Sequence, residues 1–156
     1  MSEPDFRAKR EQVLLRLLLR ITRAMTVETV ARMQARGVVG MQPGYPRLLG
    51  NLDTDGTRLS ALARRMGVTR QAVAQLVAEI EKAGFVTRTP DPDDGRGVIV
   101  SFTPTGRATL AIAVEVMTAI EADYGKVISA SGMTDLKGML KAILDQTDPT
   151  TAFGMD

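Results

Sequence analysis

The chain contains no cysteine and no histidine. The first absence excludes disulfides and thiol redox sensing. The two together remove Ser-His and Cys-His catalysis and the usual zinc ligand sets. Lysine is restricted to Lys9, Lys82, Lys126, Lys137 and Lys141, and no glycine-rich phosphate loop follows a strand-like segment. Neither an enzyme nor a cofactor is expected. Long apolar runs are missing too: Val13 to Ile21 is interrupted by Arg16 and Arg20, and no stretch approaches the ~18 uncharged apolar residues of a membrane span. The N-terminus shows no secretory pattern, so a cytoplasmic protein without membrane contact is expected. Nine methionines are present, and these are read as core gap-fillers rather than as an oxidation switch.

What is present is an uneven charge distribution on a chain of 156 residues, long enough for one core plus an interface. Residues 1–56 carry nine basic and six acidic side chains, 57–107 eight and five, and 108–156 three and seven. A net charge of only +2 with an acidic final third allows one basic face and one face turned away from phosphate.

The most informative stretch runs from Leu59 to Arg107. Ser60 is a candidate N-cap; Leu62, Ala63 and Met66 then recur at helical spacing, and Gly67 supplies a left-handed stop. After Val68, Thr69 is a second N-cap, opening a helix to Gly84 with Ala72, Val73, Leu76, Val77, Ile80 and Ala83 on one stripe. Two short helices joined by a three- to four-residue turn containing Gly form a helix-turn-helix, whose second helix enters the major groove by its N-terminus. Thr69, Arg70, Gln71 and Gln75 stand there. Arg pairs two-pronged with guanine, Gln with adenine, and Thr contacts a base, phosphate or thymine methyl. Ala72 is small enough to allow close approach.

The period then changes. Phe85–Thr89 and Val98–Phe102 are strand-prone runs separated by an eight-residue tip, residues 90–97, rich in turn formers. Its single cation, Arg96, suits a narrow A·T-rich minor groove, where negative potential is concentrated. Asp94 is expected to hold Arg96 or a neighbouring backbone N–H; Asp91 and Asp93 are expected to be solvated rather than to cage a cation. Arg58, Arg64, Arg65, Arg70, Arg88, Arg96 and Arg107 cluster in this third of the chain. Among these, Arg64, Arg65 and Arg88, with Ser60, are expected to set register on phosphates.

The run LARRMGVTRQAVAQLVAEIEKAGFVTRTPDPDDGRGVIVSFTPTG resembles the winged helix-turn-helix core of the MarR (multiple antibiotic resistance regulator) family. The wing signature Asp-x-Arg is present as Asp94-Gly95-Arg96, followed by the strand Val98–Ser101 and by Phe102-Thr103-Pro104-Thr105-Gly106. Phe102 stands where Leu is usual, and Gly95 and Gly97 make the tip more flexible than the usual wing. The resemblance implies a small, often anionic or aromatic molecule bound where the dimer region meets the DNA-binding lobe, weakening DNA binding. Met25, Met41 and Tyr45 are the candidate lining residues.

The flanks read as helical. Asp5 to Gln34 lacks Pro and Gly and carries Val13, Leu14, Leu17, Leu18, Ile21 and Met25 on one side with Leu15 and Leu19 on another, more than one small lobe can bury. Because Pro46 is comfortable only in a first turn, the next, short helix can start no earlier than Gly44. Thr103 and Pro104 open a helix to about Val127, residues 129–132 form a loop, and a last helix spans Thr134 to about Asp145.

The expected fold is mainly α: a winged helix-turn-helix lobe, residues 41–103, with a two-stranded β-wing, and a helical dimerisation region from residues 1–40 and 104–148. A frayed tail is expected beyond residue 148. The expected function is a homodimeric, sequence-specific transcriptional regulator of double-stranded DNA, a repressor released by a small-molecule ligand, reading a pseudopalindromic site. The alternative is a winged-helix protein–protein module without DNA contact.

Overall fold

The computed structural model describes residues 3–146. Seven helices and three short strands follow in the order α1 (Glu3–Gln12), α2 (Leu14–Ala35), α3 (Tyr45–Leu49), β1 (Thr57–Arg58), α4 (Leu59–Met66), α5 (Arg70–Lys82), β2 (Val86–Asp91), β3 (Asp94–Phe102), α6 (Pro104–Ile128) and α7 (Ala130–Gln146). The strands form one antiparallel sheet, β1-β3-β2. The expected tail lies outside the described residues.

Local chemistry accounts for most of these boundaries. Gly67 adopts φ 62°, ψ 36° and closes α4, with its N–H on the Arg64 carbonyl and that of Val68 on Ala63. These paired bonds satisfy carbonyls that a helix end leaves free. Thr69 caps α5 by accepting from the Ala72 N–H at 3.2 Å. Thr103 does the same for α6, accepting from Gly106 at 2.9 Å, with Pro104 in the first turn.

One continuous core joins the helix-turn-helix segment to the long helices. Leu62 and Met66 of α4, Val73, Val77 and Ile80 of α5, Leu48 of α3 and Val100 of β3 are buried with Val30 and Met33 of α2 and Val116 and Ile120 of α6. Gly106 is required where α6 meets the sheet: a Cβ there would lie 1.9 Å from the Phe85 carbonyl oxygen. The outer faces are different. Leu14, Leu15, Leu18, Leu19 and Ile21 of α2 are exposed, as are Leu136, Met139, Ile143 and Leu144 of α7, which has no buried residue. Large apolar side chains exposed in such number along two helices mark a surface suited to association.

Five boundaries depart from the sequence reading. The first helix is broken at Val13, whose extended ψ of 129° separates α1 from α2; the absence of Pro and Gly did not keep it continuous. The sheet has a third strand, because Thr57 and Arg58 pair with Val100 and Ile99. That pairing carries the chain directly into α4 with Arg58 at the N-cap, so Ser60 lies inside the first turn instead of capping it. The wing tip is not an eight-residue loop: β2 and β3 pair out to Asp91 and Asp94, with an irregularity at Pro90/Asp91. Finally, α7 starts at Ala130, immediately after Ser129 at φ 69°. The Ser129 hydroxyl accepts from the Gly132 N–H at 3.0 Å, doing the work of an N-cap where a loop was expected.

Candidate nucleic-acid interface

Burial of Val73, Val77 and Ile80 turns the opposite side of α5 outward. Thr69, Arg70, Ala72, Gln71 and Gln75 are all exposed on that side. The Thr69 hydroxyl is engaged as an acceptor in capping α5, while its own proton stays available. Arg70 and the two glutamines carry the hydrogen-bonding groups suited to base edges.

The wing is held by its aspartates. Asp94 Oδ1 accepts from the Arg96 N–H at 3.0 Å, so Asp94 holds a neighbouring backbone N–H, one of the two partners expected for it. Asp91 differs from the sequence reading: it is buried, ion-paired with the Arg58 guanidinium, and accepts from the Asp93 N–H at 3.0 Å. Folding the tip back over β1 removes Asp91 from water, and Arg58 supplies the compensating charge. Gly97 completes the arrangement, since a Cβ there would sit 2.7 Å from the Asp91 Cβ. The Arg96 side chain is left exposed. Its carbonyl accepts from Arg70 Nη2 at 3.4 Å, so wing and reading helix touch.

The arginines separate into two groups. Arg65 pairs with Asp53 at 2.9 Å and donates to the Asn51 carbonyl. Arg88 pairs with Glu81 at 2.6 Å. Each cation holds its carboxyl below the ordinary range, the Arg65 hydrogen bond being the main cause at Asp53 and the Arg88 hydrogen bond at Glu81. Arg64 and Arg96 are exposed and form no ion pair among the described residues. Of the four residues expected on phosphates, then, Arg64 and Ser60 are unengaged, while Arg65 and Arg88 must share their charge with an acid. Arg58 was counted only as one of a cluster; no signal in its immediate sequence distinguishes it from its neighbours. The described residues contain no group of carboxylates arranged to hold a metal ion.

Behind this surface, a cavity of about 110 Å³ lies between α2, α3 and α6. Met41 lines it, together with Met33 and Met117. Met25 and Tyr45 do not: Met25 is partly buried against the core, and Tyr45 is buried with its ring edge-on to Phe85 at 6.4 Å. The expected layout of the helices groups Met25, Met41 and Tyr45; in the structure the Tyr45 ring turns toward Phe85, just beyond α5, instead of into this cavity. Thr29 of α2 and Thr109 of α6 also line the cavity, and nothing in the sequence marked them. No described helix is long and apolar enough to cross a membrane.

Residues 39–97, spanning the turn before α3 through most of the wing, match the sequence profile of the MarR family. Over 127 residues the chain is 28% identical to the HTH-type transcriptional repressor Rv2887 of Mycobacterium tuberculosis, covering 81% of this chain and 90% of that one. It is 30% identical over 94 residues to the transcriptional activatory protein BadR of Rhodopseudomonas palustris, a match that covers 60% of this chain but only 53% of BadR. Among solved structures, the transcriptional repressor CouR bound to a 23-mer DNA duplex superposes with a TM-score of 0.68 at 25% identity, covering 86% of this chain and 94% of that one. A MarR-family regulator from Rhodococcus shares the fold at TM-score 0.66 and 22% identity, with 85% and 95% covered. The helix-turn-helix, the wing and the long flanking helices thus superpose together on solved MarR-family regulators, and residues 39–97 of this chain carry the profile of that family.

Proposed function

We propose that the protein is a homodimeric, sequence-specific DNA-binding repressor released by a small molecule. The observation that carries the reading is the outward face of α5, where Arg70, Gln71 and Gln75 are exposed beside a wing whose Arg96 forms no ion pair among the described residues. Arg70 and Gln71 read bases in the major groove, Thr69 and Gln75 support them, and Arg96 enters the minor groove. Arg64 and Ser60 hold phosphates directly; Arg65 and Arg88 do so by exchanging their carboxylate partners.

Dimerisation is supported by the exposed leucines of α2 and the exposed apolar side chains of α7, which stay uncovered among the described residues. A two-fold pair of reading helices matches a pseudopalindrome with half-sites about one turn, ~34–36 Å, apart. Helices α2 and α6 are tied to each other by the Arg32–Asp123 and Arg36–Glu115 ion pairs, and both contribute residues to the core shared with the reading lobe. A molecule bound between them would change the spacing of the two reading helices, and a few Å suffices to prevent both from docking. The repressor sign is supported by Rv2887, which is described as a repressor.

Selection of bound duplexes from a random pool, followed by anisotropy across a salt series, tests the reading. A two-fold symmetric consensus with half-sites one turn apart is expected. Weak binding that vanishes as salt rises, with no enriched sequence, would leave only non-specific attraction to the arginines and refute it.

A further inference from the structure

A helix leaves its last carbonyls without partners inside the helix, and the groups that meet them fix how it ends. At the end of α4 the Gly67 and Val68 N–H groups take the Arg64 and Ala63 carbonyls. The carbonyl of Met66, the last residue of α4, accepts from Arg47 Nη2 of α3 at 2.6 Å. A guanidinium there meets the negative end of the helix dipole as well as a free acceptor. Arg47 forms no ion pair among the described residues, whereas Arg65 and Arg88 are each held by a carboxylate.

The helix that carries Arg47 is itself anchored, since Tyr45 and Leu48 are buried in the core. A second tie runs the opposite way. Arg65 of α4 donates to the Asn51 carbonyl at 2.9 Å, and the Asn51 side chain donates to the Arg47 carbonyl at 2.8 Å. Helix α3 and the last turn of α4 therefore clasp each other through reciprocal arginines. The stretch after the held carbonyl is short and fixed by its own bonds: Gly67 is left-handed at φ 62°, and Thr69 accepts from the Ala72 N–H. A displacement of Met66 is passed on to Arg70 and Gln71, which follow directly. Base readout requires its side chains to be placed within about 0.5 Å.

We propose that Arg47 is a positioning residue for DNA reading: without touching base or phosphate, it sets where α5 begins by holding the Met66 carbonyl. This role rests on the DNA-binding reading above.

The test is anisotropy with the selected duplex and with a random duplex, each across a salt series, on the full chain and on Arg47→Met and Arg47→Lys. Arg47→Met keeps the apolar stem and loses the donors. It should bind the selected duplex about tenfold more weakly, the equivalent of about one base contact. Its affinity for the random duplex and its salt slope should stay as in the unaltered protein, because phosphate contacts carry no sequence information. Arg47→Lys, which can still donate to a carbonyl, should recover most of the discrimination. Urea denaturation checks that each variant is folded. Should Arg47→Met not fold, Arg47→Gln, whose shorter amide does not reach Met66, takes its place with the same expectation. A salt slope shallower by ~0.9, with both duplexes weakened alike, would make Arg47 a phosphate ligand and overturn the proposal. Unchanged affinity of Arg47→Met for the selected duplex would refute the positioning role and leave the DNA-binding reading standing. An unaltered protein that prefers no sequence would overturn both.

Discussion

The Arg58–Asp91 pair offers an asymmetric test of how the wing is held. The Asp91 side chain is 1% exposed and that of Arg58 53%, so removing either partner leaves a very different remainder. In Arg58→Met the apolar stem persists but a sealed carboxylate loses its cation and retains only the Asp93 N–H. Breaking a fully buried pair costs about 3–5 kcal/mol. Because Arg58 is half in water, part of its attraction is already screened, and about 2–3 kcal/mol is expected here. Asp91→Asn keeps the shape and an acceptor for Asp93, and its orphaned Arg58 is hydrated at once, so about 1 kcal/mol or less is expected. Arg58→Met/Asp91→Asn should be more stable than Arg58→Met alone, since no buried charge is left behind. Urea denaturation at one fixed protein concentration, with unchanged m values, measures all three. Equal losses for the two single variants, or a double variant that loses the sum of both, would refute the assignment of Asp91 as a buried charge stabilised by Arg58.

Three further outcomes follow from the interface. Arg70→Ala should weaken binding to the selected duplex by ~1–3 kcal/mol and relax preference at a single base step, measured by competition among single-position variants of the site; unchanged preference would mean that α5 is misoriented. Arg64→Ala should flatten the salt dependence of DNA affinity more than Arg65→Ala, because Arg65 already shares its charge with Asp53; the opposite ranking in the anisotropy series would contradict this. The carboxyls of Glu81, Asp53, Asp123 and Glu11 are all held below their ordinary range by neighbouring cations. A depressed folded-state value contributes stability above the unfolded carboxylate range and loses it as pH falls through the folded value. The denaturation midpoint should accordingly decline as pH falls below the ordinary carboxylate values, 4.5 for Glu81 and 3.8 for Asp53, and Glu81→Gln should make that decline shallower.

What the sequence by itself determined was everything governed by short-range chemistry. Thr69, Gly67, Thr103 and Pro104 bound their helices as expected because a cap or a left-handed turn involves residues within one turn of each other. The stripe through Val73, Val77 and Ile80 oriented α5 because burial of one face dictates exposure of the other. Even Asp94 could be read, since its acceptor serves a backbone N–H two residues away.

Tertiary structure decided the rest. β1 is two residues long and exists only because β3 offers Val100 and Ile99 as partners, and that pairing displaced Ser60 from the cap. Asp91 looked solvated in a run of prolines and aspartates until Arg58, thirty-three residues earlier, was folded against it. Arg65 and Arg88 looked like free cations until Asp53 and Glu81 were brought within ion-pair distance. Tyr45 packs edge-on against Phe85 in the core, whereas Thr29 and Thr109 line the cavity, because α2 and α6 face each other across eighty residues of chain. Helix periodicity and capping are encoded locally, whereas the burial of a charge and the lining of a cavity depend on which distant segment arrives opposite.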